Sequence, residues 1–175
     1  FGNSPGGNYL GQLQANPGTQ FVLCVDNDMQ NLELRNASGQ LISTLYTQGV
    51  LSRPSITDNG SRVVFINGAR DAVFLDIIYT NPVQVSGGII FDDPDLRNVV
   101  ISKDGATIAA LINDQTPFIY FLDVATQAQE AYELYNPTYS TGQVTGEVQY
   151  ADVLEFDYSG EYLMYDAFNE LNSTS

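Results

Sequence analysis

Four stretches of this 175-residue chain share one grammar: YLGQLQANPGTQFVLCVDN at 9–27, RPSITDNGSRVVFING at 53–68, RNVVISKDGATIAALIND at 97–114 and DVLEFDYSGEYLMYDAFN at 152–169. Each passes through an alternating segment into a turn that ends in glycine, continues in a more apolar run and stops at Asn or Asp. The turn glycines, Gly18, Gly60, Gly105 and Gly160, are spaced by 42, 45 and 55 residues. This self-similar period constrains the fold more than any other feature, because a recurring unit must bury its apolar face against copies of itself. The turns NPG, DNG, KDG and YSG supply the positive φ that a tight connection between antiparallel strands demands, so hairpin corners explain them without a ligand.

Beyond each second run lie a polar loop and a third run: 32-LELRNA-37, 73-VFLDI-77 and 118-FIYFLDV-124. A fourth, more polar run follows at 41-LISTLY-46, 83-VQVS-86 and 129-QEAYELY-135. Four strands per repeat, apolar inside and polar at the outer edge, predict an all-β chain of the β-propeller class, with about three and a half four-stranded antiparallel blades. The expected blades span 9–46, 53–86, 97–135 and an incomplete 152–169. A closed ring takes about 4 to 8 blades. Residues 1–175 are therefore expected to be part of a larger propeller, completed by further chain or by another subunit.

The units PSITDNGSRVVFINGARDAVFLDI and VVISKDGATIAALINDQTPFIYFLDV resemble the WD40-like (PD40-type) repeat of TolB-like β-propellers. That repeat has a Ser-Pro-Asp-Gly-like turn, an Ile-Ala-Phe-like strand and an Ile-Tyr-x-x-Asp-like strand; Asp76 and Asp123 match its closing acid. The sequence departs from the pattern with Ile56 and Ile101 in place of the aromatic before the turn, and with proline only in Asn16-Pro17-Gly18. The resemblance implies a periplasmic or secreted setting.

Composition agrees with strands: Tyr (11) and Phe (9) dominate the aromatics, there is no Trp, and 43% of residues are hydrophobic. A net charge of −15 argues against nucleic acid or an anionic membrane as partner, and no apolar run approaches the roughly 18 residues of a membrane-spanning helix. Cys24, inside FVLCV with no basic residue within ten positions, reads as a small buried hydrophobe. The absence of histidine removes Ser-His-Asp and Cys-His catalysis, and neither G-x-S-x-G nor G-x-x-x-x-G-K-[ST] occurs. Catalysis is thus the less expected reading. A scaffold that binds a protein, a peptide or another ligand is the leading expectation. The propeller domain of a larger prolyl-oligopeptidase-like hydrolase, or a propeller glycosidase or lyase using paired carboxylates, is the alternative.

In a propeller the loops between second and third strands, and those between blades, emerge on one face, opposite the glycine corners. Candidate ligand-binding residues on that face are Arg70, Asp71, Asn113, Asp114 and Gln115, on a rigid scaffold where binding loops tend to sit. The linkers 86–95 and 136–152 read as long loops of the same face. Asp26 and Asp28, and Asp92, Asp93 and Asp95, are the candidate Ca²⁺ ligands; otherwise no cofactor is expected. Arg53, Arg70 and Arg97 are expected to pair with local carboxylates.

Overall fold

The computed structural model describes residues 9–16, 19–26, 28–36, 38–140 and 143–168. Gly18 of the first corner, and the loop positions Asn27 and 169–172, lie outside the described residues. The first sheet holds β1 (Tyr9–Asn16), β2 (Thr19–Val25), β3 (Leu32–Asn36) and β4 (Leu41–Tyr46) in that order. The second holds β5 (Ser55–Ile56), β6 (Arg62–Ile66), β7 (Asp71–Ile78) and β8 (Gln84–Asp92). The third holds β9 (Leu96–Ile101), β10 (Thr107–Ile112), β11 (Phe118–Asp123) and β12 (Gln129–Glu133). Two hairpins follow, β13 (Tyr135–Ser140) with β14 (Gln143–Val148), and β15 (Leu154–Phe156) with β16 (Leu163–Tyr165). Every pairing is antiparallel between consecutive strands, so each sheet is a meander.

The continuous apolar runs of the second strands follow from stacking. Successive side chains of a strand point to opposite faces, so a sheet covered on both faces needs apolar residues at every position. Val63 and Phe65 of β6 pack with Leu23, Val25, Leu32 and Leu34 of the first sheet. Their neighbours Val64 and Ile66 pack the other way, with Leu96, Val99, Ile108 and Ala110 of the third. Ala109 and Leu111 of β10 then face Leu154 and Phe156 of the last hairpin and Ala151 just before it. Burying each large side chain contributes about 1.5–3 kcal/mol, so three inter-sheet cores hold four blades in a row. The outer strands carry less of this: β4 adds Leu45 to the first core, whereas every residue of β12 is exposed. Cys24 is buried as expected.

The linkers differ from the sequence expectation. The fourth strand of the second blade, expected at 83–86, runs to Asp92, so 86–95 is mostly strand rather than loop. Gly87 permits this: at φ +135°, with the Phe74 carbonyl oxygen where a Cβ would stand, it lets β8 lie against β7 where a side chain would not fit. Residues 136–152, expected as loop, contain most of the β13–β14 hairpin. Threonine and valine alternation in QVTGEV carries that signal, weakened by the glycines around it. Among the described residues no helix is long and apolar enough to cross a membrane, which leaves β-barrels aside.

Candidate functional site

Each second strand ends in an Asx residue that organises the following loop, because a short carboxylate or amide can accept hydrogen bonds from N–H groups just ahead. Asp26 accepts from the amides of Gln30 and Asn31 and from Asn31 Nδ2 at 2.6 Å. Burial pushes its pKa up, but these hydrogen bonds outweigh it and hold the carboxyl below its ordinary value. Asn67 Oδ1 accepts from the amides of Ala69 and Asp71. Its Nδ2 donates to Asp71 Oδ2 at 2.9 Å and to the Tyr46 hydroxyl of the first blade at 3.2 Å. In the third blade the residue turns outward from its own loop. Asn113 Nδ2 donates across to the Ala151 carbonyl at 2.6 Å, while Oδ1, also buried, has no hydrogen-bond partner among the described residues. Asp114 caps the Thr116 amide instead.

These loops pack on the connections between blades. The amides of Gly49 and Val50 donate to Gln30 and Met29 carbonyls, and Gly68 donates to Gln48. The loops and linkers therefore share one end of the sheets.

The glycine corners occupy the other end and repeat a single scheme. Thr57, Ser102 and Asp157 each donate their amide five residues ahead and accept from the turn glycine, at φ of 69°, 78° and 76° for Gly60, Gly105 and Gly160. In the third corner Ser102 Oγ donates to Asp104 at 2.6 Å, the first reason its carboxyl lies below the ordinary range, with the Ala106 amide second. The corners also interlock: the Asp58 amide donates to Lys103 O, and Arg62 Nη1 to Gly105 O at 2.9 Å. A Cβ at Gly105 would stand 2.9 Å from Thr57 Cγ2 and 3.1 Å from Arg62 Cδ.

Between the two ends, the innermost strands β5, β9 and β15 wall a cavity of about 230 Å³ whose lining includes Arg53, Ser55, Asn98, Lys103, Glu155 and Phe156. Sequence reasoning noted Arg53 only as an isolated charge; that it joins Lys103 across a blade boundary is a product of stacking.

The structure places the predicted residues as follows. Arg70 (φ +75°) and Asp71 sit on the second-blade loop, Arg70 exposed and Asp71 buried against Asn67. Asn113 is buried, whereas Asp114 and Gln115 are exposed. Asp92 closes β8 opposite Asp71, and Asp93 caps the Asp95 amide. Among the described residues no three acidic side chains, including Asp26 with Asp28 or Asp92 with Asp93 and Asp95, gather closely enough to hold a metal ion. The expectation that Arg53, Arg70 and Arg97 pair with nearby acids fails: among the described residues the ion pairs are Arg35–Glu33 and Arg62–Asp76, and none of the three has such a partner. Their strands and loops hold them apart from the carboxylates that lie close in sequence. The Asn or Asp that stops each second run is legible in the sequence, but its role in organising the loop is not, and Asn67 is the residue that the candidates leave out.

No protein-family model and no curated protein sequence matches the chain. Among solved structures it is similar to the β-propeller domain of Cps50 (Swd1) from Myceliophteria thermophila, with a TM-score of 0.63 at 14% identity over 90% of this chain and 50% of that one. It is also similar to TolB from Acinetobacter baumannii, with a TM-score of 0.53 at 14% identity over 90% of this chain and 36% of that one. The fold is that of a β-propeller, and the chain spans half or less of the length of these two proteins.

Proposed function

We propose that the chain is a non-catalytic, TolB-like segment of a larger β-propeller that presents its second-to-third-strand loops to a protein or peptide partner in an extracytoplasmic setting. The observation that carries this reading is the loop architecture: Asx residues fix each loop backbone while Arg70, Asp114 and Gln115 remain exposed on it. A fixed backbone lowers the ordering cost that binding incurs. The remainder of the propeller is a partner of a different kind. Met164 of β16 is 57% exposed, whereas the matching Val64 of β6 and Ala109 of β10 are fully buried against the next blade. That pattern fits a face covered by further strands, and the acidic surface fits a periplasmic or secreted setting.

A photoreactive side chain introduced at Arg70 or Gln115 is expected to form protein adducts in producing cells, and one at Asp104 to form none. Adducts from Asp104 alone would reverse the assignment of faces.

A further inference from the structure

We propose that the outer edge of β8 is a second interaction surface, apart from the loop face: it pairs with an extended segment of a partner protein, apolar at alternate positions and flanked by basic residues. The backbone comes first. β8 is the terminal strand of its sheet, so one row of its N–H and C=O groups faces away from β7. Residues 84–89 pair without a break with residues 73–78, which makes the free side a regular edge of the kind that strand addition uses. No charged residue stands on it before Asp92. The outer edge of β12, QEAYE, is the contrast: Glu130 and Glu133 guard it, as natural edges are guarded against pairing. β4 is also uncharged, but its register breaks twice within six residues.

The cavity beside this edge selects the side chains. Leu45, Val73, Leu75, Val85 and Ile89 line a space of about 320 Å³ between the outer strands of the first two blades. Gly87 and Gly88 border it without adding side chains, and no atom lies within 4 Å of where a Cβ of Gly88 would stand. Ile89 is 58% exposed there. A strand laid along β8 turns every second side chain to one face, so aliphatic residues at alternate positions enter the space while the backbone bonds form along the edge. Tyr46, Gln48 and Ser86 supply the polar groups of the lining. Charge selects the flanks. No acid lines the cavity, but the chain as a whole carries −15, so its field draws in a basic segment and holds off an acidic one, a second copy of this chain included.

The test is an amide-resolved NMR titration with N-acetyl-Lys-Val-Leu-Val-Lys-amide, with the same peptide carrying proline at its centre, and with the same peptide carrying glutamate at both ends. The first peptide should shift residues 84–89 together with Leu45 and Val73, and saturate. Proline removes a backbone donor and should weaken binding about tenfold. Glutamate ends should weaken it several-fold, by a margin that narrows in high salt. Ile89→Lys, at an exposed position, should weaken the first peptide about tenfold, whereas Tyr132→Lys on β12 should leave it unchanged. Equal affinity for the proline peptide would overturn strand addition, and preference for glutamate ends would overturn the basic partner. No saturable shift, shifts centred on β4 or β12, or an Ile89→Lys variant that binds as well as the native chain would overturn the surface. A dimer in sedimentation velocity that Ile89→Lys dissolves would give the edge to a second copy and overturn the partner assigned. Because neither variant touches the loops, a loop-face partner that still binds both leaves the proposed function standing whatever the edge does.

Discussion

At the corner end of the sheets, Thr57, Ser102 and Asp157 hold their glycine turns by the same pair of backbone hydrogen bonds, although the three side chains differ. At the loop end, Asp26, Asn67 and Asn113 occupy one position of the repeat and do three different things: one closes its own loop, one also ties to Tyr46, and one reaches the following linker. The difference follows from what each end must accommodate. The corners stack on one another at close range, so any departure meets the neighbouring blade; the loops meet linkers of unequal length and are free to diverge. Uniformity marks the architecture, and divergence marks where the repeats are free to differ.

The sharpest way to break this comparison is at the glycines. Gly105→Ala meets both a positive φ and the Thr57 and Arg62 side chains, and should cost about 2–4 kcal/mol. Gly39→Ala, at φ +84° with nothing within 4 Å, should cost only about 1 kcal/mol. Urea unfolding of the pair separates conformational strain from crowding, and equal losses would mean that the corners do not interlock.

Next comes the loop end. Asn67→Ala leaves the buried Asp71 carboxylate and two amides without their partner and should cost about 2–3 kcal/mol. Asn113→Ala removes one hydrogen bond and an oxygen that had none, for about 1 kcal/mol. Thermal melts that rank the two in the opposite order would overturn the view that these equivalent positions have diverged.

A smaller effect is expected at Arg62. Its ion pair with Asp76 is 3.0 Å long but both side chains are over a third exposed, so its share of stability stays below about 1 kcal/mol. Asp76→Asn, which leaves the Arg62 bond to Gly105 in place, should therefore lose little in urea, and less still in high salt.

The smallest effect is one of pH. The Asp104 carboxyl, held below its model-peptide value of 3.8 first by the Ser102 hydroxyl and then by the Ala106 amide, stabilises the fold when ionised. That contribution is complete above about pH 5 and disappears as pH falls through the lowered folded value. The stability gap between the native chain and Asp104→Asn should accordingly be flat at neutral pH and close on acidification below about pH 4. Relief of repulsion in a chain of net charge −15 affects both proteins alike and cancels in the gap.

Much of the fold was legible because its physics is local. Alternation, a glycine at φ>0 and a run such as RVVFI each announce a strand or its corner from a few residues. The length of β8 was not legible: its extension through Gly87, Gly88 and Ile89 depends on pairing with β7, and glycine reads locally as loop. The loop residues were placed on the correct end, but their roles were not readable. Nothing in NGARD and NDQTP says that one Asn meets Tyr46 and the other Ala151, contacts 21 and 38 residues distant.

By itself, the sequence determined a row of like four-stranded units, because period, turn chemistry and apolar runs are properties of short segments that recur. Only the tertiary structure decided that Gly105 must also make room for Thr57 and Arg62, and that Arg53 and Lys103 share one wall. Both depend on how one blade lies against the next, and side chains from separate repeats meet only once the stacking has set their distance. The Lys-Asp-Gly corner is thus a joint between blades as well as a turn.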